Sequence, residues 1–386
     1  MLRISWPLLA ALCLAGCAQL PASGPGREDL LAAPPASAAS GASVQLVDVD
    51  DRVARALAAR SRPHRFSDDL SPNAPASSPG QLGAGDVVEV TIWESPPATL
   101  FGAGIGDVRI GPSAARPAVL PEQVIDHEGQ ITVPFAGRLQ AAGQTLRSLG
   151  EEIARRLRGK ANQPEAVVRL VRNGSSTVTV VGEVTQSLRM PLTPGGERLL
   201  DALAEAGGVR QSVNRMTVQL TRGTRTVAMP LDSVIRDPLQ NVLLQPGDIV
   251  TALFQPLSFT ALGATGKNEE VPFEARGISL AQALGRVGGL QDSRSDARGV
   301  FLFRLEAADA LDWPRQPAGT TPDGRVPVVY RIDLANPASF FVMQGFEVRD
   351  KDVLYVSNAP AAELQKFLNL VFSVVYPVLN VYQIGR

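Results

Sequence analysis

Residues 81–93 read Gln81-Leu82-Gly83-Ala84-Gly85-Asp86-Val87-Val88-Glu89-Val90-Thr91-Ile92-Trp93. Gly83, Gly85 and Asp86 make a turn that launches Val88, Val90 and Ile92, and their period of two puts three apolar side chains on one strand face. The chain continues with Val124-Ile125-Asp126-His127-Glu128-Gly129-Gln130-Ile131-Thr132-Val133-Pro134-Phe135-Ala136-Gly137-Arg138-Leu139. Gly129 suits a tight hairpin turn between the apolar pairs Val124-Ile125 and Ile131-Val133. From Thr145 the spacing becomes helical, with Leu146, Leu149, Ile153 and Leu157 on one face and Arg147, Glu151, Arg155 and Arg158 on the other. A last strand, residues 165–170, follows Pro164. These elements predict a small α+β module with no evident catalytic pocket.

An internal repeat follows. Val180-Val181-Gly182-Glu183-Val184 aligns with Ala261-Leu262-Gly263-Ala264-Thr265, and a helix-like run ending in Gly207-Gly208 aligns with one ending in Gly288-Gly289. Further on, Val218-Gln219-Leu220-Thr221-Arg222 matches Val300-Phe301-Leu302-Phe303-Arg304, and Gln245-Pro246-Gly247-Asp248-Ile249-Val250 matches Arg349-Asp350-Lys351-Asp352-Val353-Leu354. The growing separation between matched positions implies an insertion of about 22 residues in the second copy, in the Pro-rich stretch 307–327, where a surface loop tolerates it. Each copy reads strand, short helix ended by Gly-Gly, two strands, then a turn and a final strand.

The quoted 81–171 stretch resembles the bacterial polysaccharide export family, the Wza-type outer-membrane proteins of capsule and exopolysaccharide secretion. The resemblance rests on Gly83, Gly85 and Asp86 before the first strand, on Gly129, Pro134 and Gly137, and on the helix and closing strand; Ala84 stands where the family has Pro. The repeat is similar to the soluble-ligand-binding β-grasp (SLBB) copies that follow the export domain in that family. The fold class is therefore expected to be α+β and multi-domain, with a β-rich export domain, two β-grasp-like repeats and a C-terminal amphipathic membrane helix. The expected boundaries are a signal peptide at 1–16, a lipid tether at 17–42, an export domain at 43–172 that includes an N-terminal strand and helix, repeats at 176–254 and 258–358, and the membrane helix at 361–386.

Both ends bear on compartment. Arg3 precedes an apolar run, residues 4–14, that is too short to span a bilayer but right for a signal-peptide core. It ends in Leu14-Ala15-Gly16-Cys17, which resembles a lipobox and implies cleavage before Cys17 and its acylation; the plainer alternative is a secretory signal with an incidental Cys. Ala18 after that Cys, in place of the Asp that often retains lipoproteins in the inner membrane, points to the outer membrane. The Ala, Pro, Ser and Gly of residues 18–42 read as a tether. Near the other end, polar residues within the apolar run 361–384 fall on Lys366, Asn369, Ser373, Tyr376, Asn380 and Gln383, in steps of three and four. That is one polar stripe on a helix, whose 24 residues at ~1.5 Å each reach about 36 Å, against ~30 Å of hydrocarbon. A stripe of that kind is costly in lipid unless several helices close into a ring around a wet lumen. Pro377 interrupts the run, so a helix lying flat at the interface or packed on its own domain is the alternative.

Composition excludes some functions. The 386 residues suffice for two to four domains, and a net charge of -1 with no basic block gives nothing for nucleic acid to bind. Cys13 leaves with the signal, which leaves one Cys and argues on count alone against disulfides and Cys-based metal sites. His64 and His127 lack partners at zinc-ligand spacing, so no metal and no cofactor is expected. Asp126 and Glu128 are the one acidic pair that a polysaccharide-trimming enzyme could use; a tight turn more often exposes such a pair to solvent, and no enzyme activity is expected. What the resemblance implies is an oligomeric ring that conducts capsular or extracellular polysaccharide through the outer membrane. It further implies outer-membrane lipid around the ring and an inner-membrane polysaccharide co-polymerase, often a tyrosine autokinase, as partner. The alternative is a periplasmic lipoprotein that binds polysaccharide or peptidoglycan and forms no pore.

Overall fold

A computed structural model describes residues 24–32, 44–61, 65–70, 80–95, 98, 100–101, 117–313, 320–321 and 323–360. The chain divides into two compact units, residues 63–255 and residues 1–62 together with 256–386. Both are mixed α/β.

In the 63–255 unit, the strand Val87–Trp93 is central, pairing antiparallel with Glu165–Arg172 and with the short strands Ala118–Val119 and Gln123–Val124. Its Val88, Val90 and Ile92 are buried. The helix Leu146–Leu157 starts where Thr145 caps it, in a reciprocal box with Ser148, and buries Leu149, Ile153 and Leu157. The hairpin at Gly129 differs from expectation. Gln130–Val133 pairs with Gly137–Gln140, and Gln123–Val124 pairs with Val87–Val88 instead. The reason is local: Asp86 and Gly85 take up both backbone groups of Ile125, while the Asp126 N–H donates to the Gln130 carbonyl and Asp126 Oδ1 accepts the N–H groups of Glu128 and Gln130, so the turn at Gly129 closes at Asp126 and the strands on either side pair elsewhere. Gly129, with φ of 82°, serves that turn; Pro134 and Gly137 frame the turn between the paired strands Gln130–Val133 and Gly137–Gln140.

The first repeat is a five-stranded sheet in the order Arg225–Pro230, Met216–Arg222, Ile249–Phe254, Thr177–Gly182, Leu188–Pro191. Only the Ile249–Phe254 to Thr177–Gly182 pairing is parallel. The helix Leu199–Glu205 covers one face and buries Leu199, Ala202 and Leu203. A short helix from ahead of the export domain, Phe66–Asp69, completes this core with a fully buried Phe66.

The second repeat, in the other unit, keeps the same strand order and adds an edge: Gln45–Asp48, Arg325–Ile332, Ser295–Ala307, Val353–Asn358, Leu257–Gly263, Glu269–Phe273. The Pro-rich insertion falls between Ser295–Ala307 and Arg325–Ile332. The N-terminal strand and helix, expected with the export domain, belong here. Gln45–Asp48 pairs parallel to Arg325–Ile332, and the helix Asp51–Arg60, capped by Asp50, buries Val53, Ala54 and Leu57 in this repeat's core. Pairing gives the edge of Arg325–Ile332 hydrogen-bond partners it would otherwise lack. The expected tether is also partly structured: Arg27–Ala32 is helical, Leu30 packs beside Phe301, Val329 and Tyr355, and the Tyr355 hydroxyl donates to the Pro25 carbonyl at 2.9 Å. One buried aromatic surface thus orders a segment whose composition reads as linker.

Cys17, His64 and the stripe Lys366, Asn369, Ser373, Tyr376, Asn380 and Gln383 lie outside the described residues. Among the described residues no helix is long and apolar enough to cross a membrane.

Candidate functional site: three aspartate-closed turns

The motif that opens the export domain occurs three times in structure. Asp86 Oδ2 accepts the N–H of Gly83 at 2.8 Å, Asp248 Oδ2 that of Gln245 at 2.8 Å, and Asp352 Oδ2 that of Arg349 at 2.7 Å. In each case a carboxylate closes a four-residue turn and the next residues begin a strand. The residue before each aspartate has a left-handed backbone, with φ of 90° at Gly85, 85° at Gly247 and 67° at Lys351. Glycine meets that demand freely in two copies and Lys351 meets it under strain.

What each aspartate does with its second oxygen differs. Asp86 Oδ1 accepts the N–H groups of Gly174 and Ser175, both at 2.8 Å, and its Oδ2 also takes the Ser175 hydroxyl. This carboxylate, 2% exposed, therefore fastens the first residues after the export domain. The approach is close enough that a Cβ on Gly83 would lie 2.4 Å from the Ser175 Cβ, and one on Gly174 2.4 Å from the Gly85 carbonyl oxygen. Beside the junction lies a largely apolar cavity of about 380 Å³, walled by Leu82, Leu146, Leu170, Leu192 and Leu243, with Arg147 among the polar groups that line it.

In the repeats the aspartate holds an arginine from the neighbouring strand. Arg222 Nε and Nη2 donate to Asp248 at 3.0 and 2.7 Å, and its remaining donors reach the carbonyls of Leu70 and Leu243. Arg304 donates to Asp352 in the same bidentate way, at 2.9 and 2.6 Å, and to the Glu347 carbonyl. Around Arg304 the second repeat adds a charged shell. Glu306 bonds Arg304 Nη1 and accepts the Tyr330 hydroxyl at 3.0 Å, and Arg349 bridges Glu306 at 2.7 Å to the Ser61 hydroxyl at 2.8 Å. The guanidinium also sits 5.6 and 5.4 Å from the ring centroids of Tyr330 and Phe346. Burial, and then the charge of Glu306, pushes the Tyr330 phenol well above its ordinary value, so it stays a donor.

The expected export-domain residues Gly83, Gly85, Asp86, Gly129, Pro134 and Gly137 are therefore brought into two places. Gly83, Gly85 and Asp86 build the junction; Gly129, Pro134 and Gly137 shape turns beyond it. The Arg–Asp pairs were visible in the sequence as matched positions of the repeat, but the matching alone does not say that the two side chains meet. Asp126 and Glu128 are engaged by their turn and by Arg138, whose Nη2 lies 3.7 and 3.1 Å from them. His127 is exposed in the same turn. Among the described residues no group of three or more His, Cys, Asp or Glu side chains could hold a metal ion.

Comparison with known proteins matches this architecture. The family model "Polysaccharide biosynthesis/export protein" matches residues 74–171, and the SLBB domain model matches residues 176–251 and 258–356. The capsule polysaccharide export outer membrane protein CtrA of Neisseria meningitidis serogroup A is 42% identical over 381 residues, 97% of each chain. The capsule polysaccharide export protein BexD of Haemophilus influenzae is 40% identical over 377 residues, 96% of this chain and 94% of its own. A more distant relative, the Vi polysaccharide export protein VexA/TviF of Salmonella typhi, is 28% identical over 74% of this chain and 76% of its own. With a turn, strand and helix module followed by two SLBB repeats, and with relatives that align along nearly their whole length, the chain belongs to the polysaccharide biosynthesis/export protein family.

Proposed function

We propose that this protein exports capsular or extracellular polysaccharide across the outer membrane as a lipid-anchored ring. The observation that carries the reading is the full-length similarity to proteins named for capsule polysaccharide export and for the outer membrane. Acylated Cys17 anchors the chain, the three modules form a periplasmic body, and residues 361–386 cross the membrane with Lys366, Asn369, Ser373, Tyr376, Asn380 and Gln383 toward a wet lumen. Copies of a modular domain supply repeated stacking surface, which suits a closed ring. Conduction is passive: the lumen contributes width and hydrogen-bonding groups, and polymerisation with an inner-membrane co-polymerase or tyrosine autokinase supplies the drive. No step needs an enzyme, metal or cofactor.

The cavity beside Asp86 favours a second reading, a periplasmic lipoprotein that binds polysaccharide or peptidoglycan without a pore. Its mainly leucine wall suits a polyhydroxylated sugar poorly, which places it second. Electron microscopy of the detergent-extracted protein, intact and lacking residues 361–386, separates the two. A closed ring with a narrow crown that vanishes on truncation supports the exporter. Monomers, or rings whose membrane end is unchanged, move the assignment to the binding lipoprotein.

A further inference from the structure

We propose that Phe340 and Phe341 form an apolar wedge with which the second repeat enters the lipid interface. This rests on the reading above that residues 361–386 enter the membrane. Phe340 is 53% and Phe341 77% exposed, two adjacent large apolar side chains at the start of the short helix Ser339–Gly345. Their helix buries Ser339 and Met343, so the pair is not needed for its packing.

The wedge sits at the end of the sheet from which the chain departs. Ser295 lies opposite Asn358, and the Ala359 N–H donates to the Arg294 carbonyl at 2.8 Å. Two residues along, the Ala297 carbonyl accepts the N–H of Leu334 at 2.8 Å. From Leu334 the chain makes two tight turns, in which Asp333 accepts the Ala335 N–H and Asn336 that of Ala338, and delivers Phe340 and Phe341. The exposed pair and Ala359, next to the last described residue, therefore share one rim. The N-terminal side is consistent: Cys17 precedes Pro25, held by Tyr355, by eight residues, a reach of about 28 Å when extended. An anchor at Cys17 keeps this repeat close to the bilayer.

The occupant is lipid. At the rim Arg294 and Arg298 are matched by Asp292, Asp296 and Asp333, so no excess positive charge recruits anionic headgroups. Insertion is driven by apolar area, and zwitterionic lipid suffices.

The test uses the full-length chain in nanodiscs of zwitterionic lipid with acyl chains brominated near the headgroup. Phe341→Cys carries an environment-sensitive fluorophore; parallel samples carry it at Leu305→Cys and Leu370→Cys. Leu305 is exposed near the opposite end of the same sheet. The label at 341 is expected to be quenched severalfold more by brominated lipid than by aqueous iodide, and the label at 305 the reverse. Quenching at 341 by iodide, or by neither agent because a second copy covers the site, overturns the wedge. The label at 370 tells the two readings apart. Lipid quenching at 370 alone sinks the wedge and leaves the exporter standing; at 341 alone it keeps the wedge and sinks the spanning segment.

Discussion

The two repeats carry the same sheet order and the same bidentate Arg–Asp pair, but they enclose that pair differently. In the first, the Arg222 side chain is 17% exposed and rests on two backbone carbonyls. In the second, Arg304 is 4% exposed and lies within Glu306, Tyr330, Arg349 and Phe346. The difference lies first in the repeat's own Glu306, Tyr330, Phe346 and Arg349, and an added layer lies beside them. The strand Gln45–Asp48 and helix Asp51–Arg60 close one edge of the second repeat, and Ser61 at the helix end reaches Arg349. The first repeat receives only the single turn Phe66–Asp69, whose neighbour Leu70 gives Arg222 its carbonyl. A shared pair is thus enclosed by a charged shell in one repeat and by backbone carbonyls in the other, and the more buried pair should be the costlier to break.

The largest expected contrast comes from removing one aspartate at a time. Asp352→Ala leaves a deeply buried guanidinium short of its main acceptor and should cost about 3–5 kcal/mol. Asp248→Ala leaves Arg222 its carbonyl acceptors and some water, and should cost about 1–3 kcal/mol. After residue 17 the tryptophans are Trp93 and Trp313, one in each unit. Denaturant unfolding of Trp93→Phe and Trp313→Phe backgrounds therefore reads each unit separately. Equal costs for the two aspartates would break the comparison.

A second contrast tests the added layer itself. Leu57 is 5% exposed in the core of the second repeat, and Leu57→Ala should cost about 3 kcal/mol there. The loss should appear in the Trp313 transition and leave the Trp93 transition in place. A shift confined to Trp93 would mean that the N-terminal helix serves the export domain after all, as its sequence position suggests.

That expectation failed for a definite reason. The helix is legible in the sequence, where Asp50 or Asp51 can cap it and Val53 and Leu57 share a face; its destination is not, because an apolar face says that a surface is needed and not which one. The same limit applies to Leu30, whose place against Tyr355 no local pattern signals. The Val88, Val90 and Ile92 strand and the helix after Thr145 are legible because their periods are local. The turn at Gly129 is legible, but the ladder expected beyond it is not formed, because Gly85 and Asp86 hold both backbone groups of Ile125. At the junction, Gly83, Gly85 and Asp86 were visible as a turn, while the reach of Asp86 to Gly174 and Ser175 spans 88 residues or more and appears only in the fold.

The smallest contrast concerns the turn that all three modules share. Lys351 holds a left-handed backbone that Gly85 and Gly247 adopt without a Cβ in the way. Its strain is tolerated because the Asp352 carboxylate fixes the Arg349 N–H, the Lys351 N–H donates to the Ser258 carbonyl, and Asp350 accepts the Ser258 N–H. Lys351→Gly relieves the strain but gives the unfolded chain more freedom, so the net gain should be about 1 kcal/mol or less. Gly247→Ala runs the other way and should cost about 1–2 kcal/mol. Here the second repeat, better enclosed in its core, is the one that carries the local penalty. If Lys351→Gly destabilises the Trp313 transition instead, the lysine side chain contributes something the turn geometry does not show. A gain with Lys351→Gly and a loss with Gly247→Ala would mean that the aspartate closes the turn and the residue before it only sets the strain.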